Sequence, residues 1–187
     1  LLGADPPGGT FRVWVCGCST GEEAYSIAMM WHEQLERRES AAKVQIFATD
    51  ISKHAIETAR AGVYPANIAT DVSPERLARF FDQDPDGTFR VRRSIRDLVV
   101  FSEHDVGKDP PFSKLDLLVC RNLLIYLTGP LKNRLFQIFH YALRHDGVLF
   151  LGSSETVGEA STLFAALDRK WRIYRRLPDA AGVLRTA

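Results

Sequence analysis

The stretch Phe11–Met30, FRVWVCGCSTGEEAYSIAMM, runs an apolar segment through two glycines into a helical pattern. FRVWVCGC has the length and continuity of a strand buried on both faces, as strands of parallel sheets are. Beyond it Tyr25, Ile27, Ala28, Met29, Trp31 and Leu35 keep an approximate helical face. Strand, glycine turn and helix make one βα unit. A second unit follows in KVQIFATD and SKHAIETARAG, where Ser52 is placed to cap the helix start and Gly62 its end.

Working outward, the rhythm breaks between Val63 and Arg96. Ser73 to Phe81 reads as a short helix with Ser at the N-cap and Pro at its first position. QDPDGT reads as a turn and FRVRR as a short alternating strand. The βα pattern then resumes with LVVFSEHD, with LDLLVCRN leading into a helix from Pro130 to Arg144, and with HDGVLFLGSS. LFAALDRKWRIYRRL suits two antiparallel strands around Asp168–Lys170. Alternating strands and helices imply an α/β fold with a mostly parallel sheet. One principal domain is expected at 11–177, with a small inserted subdomain near 63–96, a Gly/Pro-rich linker at 1–10 and a tail at 178–187.

Across the 187 residues, 24 Lys+Arg nearly cancel 23 Asp+Glu to a formal +1, which gives no reason to expect nucleic acid or a membrane surface as partner. The clusters Arg90–Arg93 and Arg172–Arg176 are either solvated strand faces or a docking patch. No apolar run approaches the ~20 residues of a membrane span, so a cytoplasmic protein is expected. Three cysteines do not build a disulfide framework. Cys16 and Cys18 alternate along the apparent strand and would share one face; with no second Cys/His pair at matching spacing, they read as small hydrophobes rather than metal ligands, and no metal is expected.

In open α/β sheets, ligands bind beyond the carboxyl ends of the strands, so the residues there are the candidates. At the first end, Gly17 and Gly21 let backbone approach a ligand, although the turn lacks both the phosphate-loop ending and the dinucleotide spacing; alone it reads equally as a tight βα turn. Asp50 ends the second strand, where an acid can accept from both ribose hydroxyls or simply cap a helix. Asp105 closes the third core strand and suits an adenine amino group or plain solvation. Arg121, Asn122 and Tyr126 follow the fourth strand, either as hydrogen-bonding groups at a crevice mouth or as satisfiers of exposed backbone. The ring and hydroxyl of Tyr126 suit a cationic reactant or the core.

Assembled in order, VCGCSTGEEAYSIAM, FATDISKHAIETARAGVY, VSPERLARFF, DPPFSKLDLLVCRNLLIYL and DGVLFLGSSE resemble the S-adenosylmethionine (SAM)-dependent methyltransferases that esterify glutamates of bacterial chemotaxis receptors. DPPFSKLD and CRNLLIYL most resemble the methyltransferase portion of large hybrid signalling proteins, with a methylesterase-like region before it and sensor regions after. The resemblance implies a Rossmann-like class I fold, a seven-stranded sheet ending in an antiparallel hairpin. It also implies SAM as cofactor, S-adenosylhomocysteine (SAH) as product, and the cytoplasmic helices of chemoreceptor-like proteins as substrate. Glu23 and Asp50 would bind the amino-acid and ribose parts of the cofactor, with Glu22 a solvated neighbour. Asp105 and Val106 would sit by the adenine, Arg121 and Asn122 near the methionine portion, and Tyr126 and Arg121 at the reacting end.

Two departures stand out: the family usually has Asn where this chain has Asp105, and its N-terminal helical domain is absent from these residues. In some members the inserted subdomain docks a receptor tail on a sheet edge, which FRVRR could supply. A glutamate substrate, with a reference pKa near 4.3, is already ionised at neutral pH, so the reaction needs orientation and water exclusion rather than a general base. Two other readings compete with turnover. One is a SAM/SAH-binding regulatory domain without catalysis; the other is a nicotinamide-dependent dehydrogenase, which the glycine spacing disfavours.

Overall fold

The computed structural model describes residues 9–178 of the chain, and these divide into two compact units at Asp105/Val106. The linker expected at 1–10 and the tail at 178–187 fall almost wholly outside the described residues.

The first unit opens with β1 (Thr10–Cys16), α1 (Glu22–Arg38), β2 (Lys43–Asp50) and α2 (Lys53–Ala61). β3 (Val63–Tyr64), α3 (Pro74–Phe80), β4 (Phe81–Gln83), β5 (Phe89–Val91) and α4 (Arg93–Arg96) follow, and β6 (Val99–Glu103) completes it. β1 and β2 run parallel in register from Thr10↔Lys43 to Cys16↔Thr49, and β2 pairs in parallel with β6 from Ile46↔Val99 to Asp50↔Glu103. The order is therefore β6-β2-β1, which brings the carboxyl ends of three strands level. Val13, Trp14, Val15, Ile46 and Ala48 are fully buried, as a strand covered on both faces requires.

Local chemistry sets the helix boundaries. The Ser52 hydroxyl accepts from Ala55 N at 3.2 Å and Gly62 ends α2 in the left-handed region at φ 60°. Ser73 and Pro74 start α3 as expected, with the Ser73 hydroxyl accepting from Arg76 N. Its far end differs from expectation: the helix stops at Phe80, and Phe81 opens β4, because Phe81, buried, pairs with Val91 across an antiparallel ladder. The inserted segment is a small antiparallel sheet, β3-β5-β4. FRVRR likewise splits, since β5 ends at Val91 and Arg93 begins α4; β5 is also the central strand, paired on one side with β3 and on the other with β4, so it does not supply the docking edge that was expected of it.

The second unit contains β7 (Leu115–Cys120), α5 (Gly129–Ala142), β8 (Leu143–Leu151), β9 (Phe164–Asp168) and β10 (Ile173–Arg176). β7 and β8 are parallel, β8 and β10 antiparallel, and β10 and β9 form the closing antiparallel hairpin, in the order β7-β8-β10-β9. α5 ends two residues earlier than expected, and Arg144 instead belongs to β8, where it reaches the buried Asp116 carboxylate at 2.6 Å. Together the two units supply the seven strands, mostly parallel with a terminal hairpin, of the expected α/β class. Among the described residues no helix is long and apolar enough to cross a membrane.

The arginine-rich insertion carries paired rather than free charge. Arg90 meets Asp84 at 2.8 Å, Arg92 meets Asp82 at 2.9 Å and Arg93 meets Asp97 at 3.1 Å. Arg172 and Arg176 donate to the carbonyls of Ser153 and His140.

Candidate functional site: two strand-end loops

β1 stops at Cys16 because Gly17 turns the chain at φ 70°; Cys18 therefore lies in the turn, not on the strand face that alternation with Cys16 implied. Its thiol is buried, and burial first, then the nearby Asp50 carboxylate, pushes its pKa up to about 12. A thiol so held stays protonated, which suits packing and not ligation. Gly21 caps α1 at φ 95°, where a Cβ would lie 2.9 Å from Ala59 Cβ and 3.1 Å from the Phe101 ring. Both backbone conformation and packing thus call for glycine there.

Asp50, at the end of β2, grips this turn. One carboxylate oxygen accepts from Ser19 N at 2.8 Å and the other from Ser52 N at 2.9 Å. The sequence reading set capping against ribose binding, but a carboxylate has about four acceptor positions, so two backbone bonds leave capacity for hydroxyl donors. Tyr64 of the inserted sheet adds a second tie, donating from its hydroxyl to Thr20 O at 2.8 Å. Burial, followed by the Glu22 charge, raises the Tyr64 pKa, keeping it a donor. The two acids at the start of α1 differ in setting: exposed Glu22 is engaged by the Thr20 hydroxyl, while Glu23 is half-buried. His104 packs edge-on to Trp14, with ring centres 5.5 Å apart, and Asp105 is half-buried where the unit ends.

In the second unit Val106 is half-buried at the start, and the candidates Arg121, Asn122 and Tyr126 follow β7. The Arg121 guanidinium lies 5.1 Å from the centre of the Phe150 ring, a cation–π contact. Asn122 is in the left-handed region at φ 58°. Leu124–Tyr126 form a short 3₁₀ turn on which Tyr126 is 79% exposed, so its ring does not join the core.

Sequence reasoning missed Glu155. It sits in the loop after β8, is only 4% exposed, and accepts from Asn122 N, Leu124 N and Gly152 N at 3.1, 2.8 and 2.7 Å. In sequence the only pointer is its place three residues after a strand-end glycine in LGSSE; nothing local distinguishes it from a solvated loop acid.

The donor set suits a cationic cofactor. Glu22, Glu23 and Asp50 put carboxylates at or beside the glycine turn, with Lys and Arg absent from positions 17–30. Such a turn disfavours a phosphate and complements an ammonium or sulfonium group. The residues present therefore fit SAM.

Comparison with known proteins agrees. The family described as CheR methyltransferase, SAM binding domain, matches residues 4–173. The uncharacterized 104.1 kDa protein in the hypE 3′ region of Rhodobacter capsulatus is 41% identical over 95% of this chain and 18% of its own length. The chemotaxis protein methyltransferase of Borreliella burgdorferi is 37% identical over 78% of this chain and 52% of its own. Chemotaxis protein methyltransferase 1 of Pseudomonas aeruginosa is 36% identical over 80% and 56%. The chain thus spans about half the length of the curated methyltransferases named here, and a smaller share of the larger protein. With the match covering nearly all of its residues, the chain belongs to the family of SAM-binding domains of CheR methyltransferases.

Proposed function

We propose that this domain serves a protein-glutamate O-methyltransferase that forms glutamyl methyl esters on the cytoplasmic helices of chemoreceptor-type proteins. The observation that carries the reading is the glycine turn gripped by Asp50 and flanked by acids, within a chain of the CheR methyltransferase family. The relatives named chemotaxis protein methyltransferases support a substrate in chemotaxis, and the motif resemblance supports receptor glutamates as that substrate.

When bound, SAM supplies an electrophilic methyl group on a positively charged sulfur. In the first unit, Gly17 and Gly21 would give its backbone-lined seat, Glu23 would receive the amino-acid portion, Asp50 the ribose, and Asp105 the adenine. In the second unit, Val106 would border the adenine, Arg121 and Asn122 would hold the methionine portion, and Tyr126, with Arg121, would orient the reacting end and exclude water. A substrate glutamate is ionised near neutral pH, with a reference pKa of about 4.3, so none of these residues has to remove a proton. Their contribution is binding, orientation and desolvation.

The test uses the full-length protein with methyl-labelled SAM and receptor cytoplasmic helices, and assays base-labile label released as methanol. Labelled ester is the expected result. A second reading, a SAM/SAH-binding regulatory domain of a hybrid signalling protein, draws on the 104.1 kDa relative, in which the matched segment is 18% of the length. Tight cofactor binding with no labelled ester would select it.

A further inference from the structure

Glu155 is a charged side chain placed almost wholly out of solvent, and its surroundings explain how that is tolerated. Oε1 accepts from Leu124 N, and Oε2 accepts from both Asn122 N and Gly152 N. Three amide dipoles directed at one carboxylate offset much of its lost hydration. Its own N–H donates to Gly152 O at 3.0 Å, closing the Gly152–Glu155 turn. The acid therefore binds its own loop after β8 and the loop after β7, so the two strand ends are latched by one side chain.

The latch grips the β7 loop at two telling points. Asn122 turns the chain at φ 58°, in the left-handed region that asparagine tolerates better than most residues, and the bond from its N–H to Glu155 fixes the direction of that turn. Leu124 N is the first amide of the 3₁₀ turn that carries Tyr126, so the carboxylate sets where that turn begins. Gly152 makes room for the arrangement: a Cβ there would lie 2.7 Å from Glu155 Oε2 and 3.0 Å from both Asn122 N and Asn122 Oδ1. The fixed Asn122 N leaves no cheap escape from that crowding.

We propose that Glu155, seated against Gly152, is a positioning residue for the cofactor. It imposes the backbone conformation that presents Arg121, Asn122 and Tyr126, and it does so without touching the cofactor. The inference rests on the proposed role of those three residues. Burial, with three backbone N–H groups held by the carboxylate, sets Glu155 apart from the exposed candidates for cofactor contact.

Glu155→Gln in the full-length protein tests this. The substitution keeps size and shape but turns one acceptor oxygen into an NH₂ group, which would face backbone donors and must give up at least one of the three bonds. The readouts are SAH affinity by calorimetry, far-UV circular dichroism, and amide exchange of peptides spanning 121–127. A folded variant is expected to bind SAH at least tenfold more weakly, with faster exchange in that segment. Leu135→Ala, a buried change in α5, supplies the comparison: it should lower Tm while leaving SAH affinity within twofold of wild type. The proposal is overturned if folded Glu155→Gln keeps wild-type affinity, if Leu135→Ala weakens binding equally, or if Glu155→Gln does not fold, since the carboxylate would then serve folding alone. A wild-type protein that did not bind SAH would first overturn the cofactor reading, and this inference with it.

Discussion

Asp50 shows how one side chain can serve both readings that its sequence position allowed. Its bonds to Ser19 N and Ser52 N fasten the glycine turn to the start of α2, and its remaining lone pairs can receive hydroxyl donors. Replacing it with alanine removes both roles, so the effect on binding should exceed that of a simple surface contact. On the scale of charge-assisted hydrogen bonds, Asp50→Ala is expected to weaken SAM binding by about 1–3 kcal/mol, roughly five- to 150-fold. Calorimetry on the folded variant checks this, and unchanged affinity would remove Asp50 from the site. The position of Asp50 was legible because an acid at a strand end after FAT is a local pattern. That of Glu155 was not, since its meaning comes from two loops 31 and 33 residues apart in sequence meeting at one carboxylate. Cys18 was misplaced by strict alternation for a related reason: a single positive-φ glycine ended the strand before the pattern did.

At the scale of elements, the long periodic segments were readable and the short ones were not. β1, β2, β7 and α1 declare themselves through apolar runs or helical spacing, and Ser52, Gly62, Ser73 and Pro74 through capping chemistry. The boundary between α3 and β4 depends on Phe81 finding Val91, a tertiary pairing that no local propensity encodes. The 3₁₀ turns at Ala66–Thr70 and Gly158–Thr162 carry no strong sequence signal and were not expected. α3 is also tied to α1 by ion pairs, Arg76 with Glu33 and Arg79 with Glu36. Arg76 meets Glu33 in a two-pronged bond, with both contacts at 2.8 Å, and that bond holds the Glu33 carboxyl below its ordinary value. Because the folded pKa is depressed, the stabilisation is fully present above the ordinary carboxylate value of about 4.5 and is lost as pH falls through the lowered folded value. A double-mutant cycle of Glu33→Gln and Arg76→Gln should give a coupling of about 0.5–1 kcal/mol at pH 7, with partial exposure limiting it. The same cycle repeated well below pH 4 should give almost none. A coupling that persisted in acid would show that the contact is not ionic.

For the whole molecule, the family match over residues 4–173 points to a domain organised around SAM. The fold class was legible because the βα rhythm recurs along most of the chain; the cofactor was legible only through the resemblance that the assembled motifs carry, since the glycine turn alone reads equally as a tight βα turn. The measurement that reaches the central claim most directly is calorimetric titration of the full-length protein with SAM, SAH and NAD in parallel. Saturable binding of SAM and SAH, with no heat from NAD beyond dilution, is the expected result; binding of NAD alone, or of none of the three, would contradict the account.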